Sequence, residues 1–154
     1  MLNTLDRVDR QILTLLQSDA RISNAELADK VNLSPTPCLR RLRKLEAGGW
    51  IQGYFAQLSE KKLGLEIAAM VFVKLDKNTK SNGAAFELAL ESMAEVTECC
   101  VVAGAHDYVL RVVTRSLRDY ERFLKERLAT VEQVADLESL IILNRSISKN
   151  VLPL

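Results

Sequence analysis

The second half of the chain alternates apolar runs and helical stripes in an order that admits few folds. Ile67 to Leu75 is a strand-like apolar run, and residues 84–93 place Phe86, Leu90 and Met93 on one helical stripe. Val96 to Ala103 is strand-like again, and Asp107 to Thr114 continues after the Gly104-Ala105 break. Ser116 and Asp119 suit the start of a helix carrying Leu117, Tyr120, Leu124 and Leu128, and Leu137 to Leu143 is a strongly apolar last strand. Strand, helix, strand, strand, helix, strand is the ferredoxin-like βαββαβ order, in which both helices cover one face of the sheet. Yet the strands are apolar on both sides. Ala69, Val71 and Val73 alternate with Met70 and Phe72, Cys99 and Val101 with Cys100 and Val102, and Ile141 and Leu143 with Leu140 and Ile142. The uncovered face therefore needs a partner. The same face of a second copy supplies it, predicting an obligate dimer that buries more than roughly 2,000 Å² in total.

The first half predicts three short helices. Asp6 and Asp9 suit a helix start, followed by an apolar face of Leu5, Val8, Ile12, Leu15 and Leu16. Ser23 and Glu26 have capping-box spacing ahead of the Leu27, Ala28 and Val31 seam. Asn32 stands at the turn, where its short polar side chain tolerates a left-handed conformation, and Leu33 follows as an apolar plug. Ser34 then caps a third helix, with Pro35 at its first position, that ends at Gly48-Gly49. On this helix Cys38, Leu42 and Leu45 form a thin apolar seam, while Thr36, Arg40, Arg43 and Lys44 fall on the far side and Arg41 flanks them. Three short helices ending in a cationic one are the scaffold that seats a recognition helix in the major groove of duplex DNA. Trp50 to Leu58 reads as an extended wing or a strand leading onward, with Trp50 closing the small core. The fold class is thus α+β: a winged helix-turn-helix with its linker strand over residues 1–60, joined to the ferredoxin-like domain over 61–154.

Charge separates a local docking surface from general polyanion binding. Residues 1–60 hold 8 Lys/Arg and 7 Asp/Glu, and the remainder holds 13 of each, so the balance is near neutral in both halves. Cationic density is confined to one helix, which suits docking rather than coating. With one histidine and with Cys38, Cys99 and Cys100 at no ligand spacing, no metal site is expected, and the cysteines read as small buried thiols. No apolar run reaches membrane-spanning length, and Asp6, Arg7, Asp9 and Arg10 interrupt the opening segment, so a soluble cytoplasmic protein that engages no membrane is expected.

From Leu5-Asp6-Arg7-Val8-Asp9 to the Ser148 region, the chain resembles the Lrp/AsnC, or feast/famine, transcription regulators. Two stretches carry the resemblance: Ser34-Pro35-Thr36-Pro37-Cys38 with Arg41, Leu42, Leu45 and Glu46, and later Gly104-Ala105-His106-Asp107-Tyr108. The resemblance implies a DNA-binding regulator with a C-terminal effector-binding and assembly domain, built as dimers that often associate into octamers of four dimers. It implies an amino-acid effector held where the loop after the domain's second strand meets a neighbouring dimer. By position that loop is Gly104, Ala105, His106, Asp107 and Tyr108, with Ser139 of the last strand a further candidate. Gly104 allows close backbone approach, so that amides receive an α-carboxylate, and Asp107 suits the α-ammonium. Tyr108 packs nearby or donates its hydroxyl, and His106 either lines the pocket or is an exposed loop residue. On the DNA side, Thr36 and Arg40 are expected at base edges or adjacent phosphates. Arg41, Arg43 and Lys44 are expected at phosphates, with Ser34 and the helix N-terminus holding another. No catalytic residue and no cofactor is expected. Two other readings stand beside this one. A DNA-compacting architectural role would show little preference between duplex sequences. Family-related sirohaem decarboxylases would be expected to need haem-contacting histidines, for which His106 alone is poor equipment.

Overall fold

The computed structural model describes residues 5–149 and 151–154. The chain forms two compact units, one ending at Gln57 and taking in Ile147–Leu154, the other comprising Leu58–Ser146. This division differs from a boundary at 60/61 at both ends of the second unit. Glu60 accepts from Arg111 Nη2 at 2.7 Å, which keeps residues 58–60 with the sheet. Gln17 accepts from the Leu152 amide at 2.5 Å and donates to its carbonyl at 3.3 Å, which keeps the tail with the helices.

In the first unit, α1 is Arg7–Ser18, α2 is Asn24–Lys30 and α3 is Pro35–Ala47. Each starts where its side chains dictate. Asp6 caps α1 by accepting from the Asp9 amide at 2.8 Å. Ser23 and Glu26 form the reciprocal capping box of α2 at 3.2 and 3.0 Å. Helix α2 stops at Asn32, whose φ of 54° is left-handed, while the Leu33 amide reaches back to the Ala28 carbonyl. The same motif ends α3: Gly49 takes φ 72°, the Gly49 amide bonds Glu46 and the Trp50 amide bonds Leu45. Ile12, Leu27, Ala28, Val31, Cys38 and Leu45 are buried together, joined by Leu13, which lies outside the predicted α1 stripe.

Three expectations for this unit are corrected. Ser34 is the N-cap residue of α3 but its side chain makes no cap bond; Pro37 at the third helical position has no amide hydrogen to offer it. Trp50 is 46% exposed and does not close the core; Ile51 packs there instead. Among the described residues, none of 50–58 joins a strand; Tyr54 donates its hydroxyl to Glu46 at 2.9 Å.

In the second unit, a 3₁₀ turn at Lys61–Leu63 leads into β1, Ile67–Leu75. Then follow α4 (Lys80–Leu90), β2 (Val96–Val101), β3 (Tyr108–Thr114), α5 (Leu117–Phe123) and β4 (Val134–Ile141). The sheet order is β2-β3-β1-β4, antiparallel throughout, which is the expected ferredoxin-like topology. Ala69, Val71, Val73, Leu110 and Val112 bury against Phe86, Leu90, Tyr120, Phe123 and Leu128 on the helical side. By register, Met70, Phe72, Val109, Arg111, Glu138 and Leu140 share the opposite face.

The differences from expectation are physical. Helix α4 starts at Lys80 because Thr79 caps it, accepting from the Asn82 amide at 3.2 Å, although Ser81, Asn82 and Gly83 are poor helix formers. Residues 124–128 continue α5 with one π-helical turn that carries the buried Leu128, while Leu117, in the first turn of α5, is exposed. Strand β4 begins three residues early, where Val134 pairs Leu75 across a bulge, and Leu143 lies beyond its end, 96% exposed. Cys38 is buried as expected, but Cys99 and Cys100 are exposed. They sit on the edge strand β2, Cys99 on the side of the helices and Cys100 on the open side, and desolvation pushes the Cys99 thiol up to about 11, with the Glu87 charge a smaller cause.

Candidate functional site

The outer face of α3 is chemically simple. Thr36, Arg40, Arg43 and Lys44 are exposed opposite the buried Cys38 and Leu45. Among the described residues Arg40, Arg43 and Lys44 make no ion pair, so their charge is available to solvent. The helix is fixed at three places. Asn24 Nδ2 donates to the Pro35 carbonyl at 2.9 Å at its start, and Glu46 accepts from Tyr54 near its end. Between them, Arg41 Nη1 lies 2.6 Å from Asp6 Oδ2 and 2.8 Å from Asp9 Oδ1. The Asp9 amide, and after it the Arg41 guanidinium, hold the Asp6 carboxyl below its usual range. Arg41, expected at a phosphate, is paired with these two acids within the unit. Arg40 and Lys44 flank this trio around a shallow cleft of about 380 Å³. The N-terminus of α3 is a weak anion site, since Pro35 and Pro37 leave Thr36 as the single amide donor in its first three positions.

The loop 104–108 is different in kind. Asp107 spans the end of β1: Oδ2 accepts from the Leu75 amide at 2.8 Å and Oδ1 accepts from Asn78 Nδ2 at 2.6 Å. Its own amide donates to the Val73 carbonyl at 3.0 Å. Tyr108 points toward the helices, is 5% exposed, and donates to Glu87 Oε1 at 2.8 Å. Its ring packs on Phe86 at 4.9 Å, and its hydroxyl lies where a Cβ on Gly83 would come within 2.7 Å of it, so only glycine leaves room there. Burial, and then the Glu87 carboxylate, push this phenol up to about 12. His106 lies on the opposite side of the sheet, its ring tilted 46° against Phe72 at 5.4 Å, with Nε2 3.4 Å from Glu138. Ser139 accepts from Tyr120 at 2.7 Å under α5. Gly104 and Ala105 are exposed. Asp107 and Tyr108 thus anchor the loop, whereas His106 and Ser139 are each tied elsewhere, and the six residues do not line one pocket in a single chain.

A larger cleft of about 580 Å³ lies beside α5, lined by Glu95, Arg115, Asp119, Arg122, Glu126 and Arg127 among others. Its charges are largely paired with each other, Arg127 with Glu95 at 2.6 Å and Arg122 with Asp119 at 2.8 Å, so it presents no free recognition group set comparable to α3. Among the described residues no cluster of His, Cys, Asp or Glu is arranged to hold a metal, and no helix is long and apolar enough to cross a membrane.

Residues 68–152 match the Lrp/AsnC ligand binding domain, and residues 5–52 match a winged helix-turn-helix DNA-binding model. The chain belongs to the Lrp/AsnC family. It is 41% identical over 150 residues to the Bkd operon transcriptional regulator of Pseudomonas aeruginosa, covering 97% of this chain and 98% of that protein. It is 39% identical over 139 residues to the leucine-responsive regulatory protein of Escherichia coli, covering 90% and 85%. A Neisseria meningitidis transcriptional regulator solved as its L-Met complex superposes with a TM-score of 0.92 at 33% identity, covering 97% of each chain. AsnC of Escherichia coli gives 0.89 at 30% identity, covering 97% of this chain and 99% of that one. The chain is a DNA-binding transcriptional regulator with an effector domain, not an enzyme. The signal that sequence reasoning lacked was the pairing of Arg41 with acids 32 and 35 positions away.

Proposed function

We propose that the outer face of α3 is the reading head of this regulator and that the loop 104–108 takes an amino acid at the contact between assembled copies. The observation that carries the first half is that Arg40, Arg43 and Lys44 are exposed and unpaired on a helix fixed at its start, middle and end. Thr36 and Arg40 meet base edges or adjacent phosphates, and Arg43 and Lys44 neutralise phosphates. Ser34, with its hydroxyl free of a cap bond, adds a neutral donor at the helix start.

The effector α-carboxylate is received by the backbone at Gly104 and Ala105. Asp107 holds the loop's shape and offers its remaining lone pairs to the α-ammonium. Tyr108 fixes the loop's root and His106 flanks the loop on the open side of the sheet, while Ser139, engaged by Tyr120 under α5, is left out of the site. The helical unit acts as the DNA-binding part and Leu58–Ser146 as the effector and assembly part, close to the 1–60 and 61–154 division expected from sequence. The sheet face bearing Met70, Phe72, Val109 and the 53% exposed Leu140 pairs with its counterpart in a dimer, and dimers associate further, up to octamers. The protein works in the cytoplasm. Leucine, to which one relative is responsive, and methionine, bound in the complex of another, are the first effectors to test.

A thermal-shift screen of the proteinogenic amino acids, read with light scattering, tests the effector half. A shift by at least one amino acid that is lost in Asp107→Ala supports it. A shift that survives that change, or none from any amino acid, overturns it.

A further inference from the structure

We infer that Arg41 is a positioning residue that aims the recognition helix from behind, and that it makes no phosphate contact. This rests on the DNA-binding reading above and assigns within it a role to a cation that sequence alone places on the docking face.

Three observations carry it. One nitrogen, Nη1, sits within 2.6 and 2.8 Å of two carboxylates, and their combined charge with the guanidinium is −1. An incoming phosphate meets a net anion there, whereas at Arg40, Arg43 and Lys44 it meets unpaired cations. Both carboxylates are themselves held in place. Asp6 is the cap residue of α1 and accepts the amide of Asp9, so the acceptors sit on a stiff helix end rather than on a loop. The third observation is the shape of the α3 contact. Its buried seam is thin, Cys38 and Leu45 with Leu42 packed beside them, so few apolar contacts set its rotation about its own axis. Arg41 lies about 60° round from Cys38 at the seam's edge. A tie at that place fixes the roll of α3, and hence where Thr36, Arg40, Arg43 and Lys44 point. Arg41 neutralises one of the two acids while using both as its anchor, which leaves one net negative charge beside Arg40 and Lys44.

The test separates aim from charge. The double variant Asp6→Asn/Arg41→Gln breaks the clamp yet leaves the trio's net charge at −1, through Asp9, and asparagine still caps α1. Binding of the full-length protein to a random-sequence duplex of about two helical turns is followed by fluorescence anisotropy over a salt series. The double variant binds about tenfold more weakly, the size of one lost charge-assisted contact, with an unchanged slope of log K against log salt. Lys44→Gln in the same series flattens the slope by about one. Flattening in the double variant, or undiminished affinity, overturns the inference. Asp9→Asn/Arg41→Gln, which keeps the Asp6 carboxylate as cap, repeats the test if the first variant does not fold. Failure of both to fold also overturns it, since the clamp would then hold the fold rather than the aim. Absence of duplex binding by the unmodified protein overturns the DNA-binding reading itself, and this inference with it.

Discussion

The recognition helix and the effector loop hold their functional side chains in opposite ways. On α3, the residues that hold the helix and the residues that face outward are separate sets: Arg41, Pro35 and Glu46 are bonded within the unit, while Arg40, Arg43 and Lys44 are left unpaired. In the loop, the same residues do both jobs. Asp107 and Tyr108 spend their polar atoms on Leu75, Asn78 and Glu87. A surface whose chemistry is unspent in one chain can meet its ligand alone. On the reading proposed above, a loop whose side chains are largely committed binds through its backbone and through groups of another copy.

That contrast can be broken most forcefully at Asp107. Asp107→Ala leaves the Leu75 amide and the Asn78 amide group without their acceptor and is expected to cost about 2–3 kcal/mol, read by urea denaturation. A cost below about 0.5 kcal/mol would show that the loop is not held as described. Arg40→Ala, an exposed and unpaired position, is expected to weaken duplex binding about tenfold while stability stays within about 0.5 kcal/mol of the unmodified protein. A stability loss comparable to that of Asp107→Ala would erase the distinction between the two regions. The smallest effect is at Tyr108. Tyr108→Phe removes the bond to Glu87 and should cost about 1 kcal/mol near neutral pH.

The same residue gives a pH signature. Its folded value is about 12 against an ordinary 10, so the folded state holds this proton more tightly than the unfolded chain. Its stabilising contribution is full below pH 10 and is lost as pH rises from 10 through 12. Stability measured over that interval should fall less steeply in Tyr108→Phe; an identical fall in both would remove Tyr108 as its source.

Most of the architecture is written in local pattern. Ser23 with Glu26, Asn32, and Gly48-Gly49 specify caps and turns within a few residues of themselves, and the structure uses each where its chemistry places it. The βαββαβ order is likewise legible from alternation and stripe. What escapes local reading is long-range pairing. The partners of Arg41, Tyr108 and Ser139 lie 19 to 35 positions away, and no periodicity announces them. The exposed cysteines escaped for a related reason: an apolar strand pattern does not say which strand stands at the sheet edge, and β2 does. The start of α4 was hidden because one capping threonine outweighed the weak helix propensity of Ser81, Asn82 and Gly83. For the two surfaces, sequence identifies which residues carry charge or a loop's freedom, and only the folded chain tells which of them are already engaged.

The claim beneath all of this is that three unpaired cations on α3 form the phosphate-facing surface. Salt dependence measures it directly, because each phosphate neutralised contributes about −0.9 to the slope of log K against log salt. The triple variant Arg40→Gln/Arg43→Gln/Lys44→Gln should flatten that slope by about three relative to the unmodified protein, with its fold retained. A slope that does not change would place the docking surface elsewhere on the molecule.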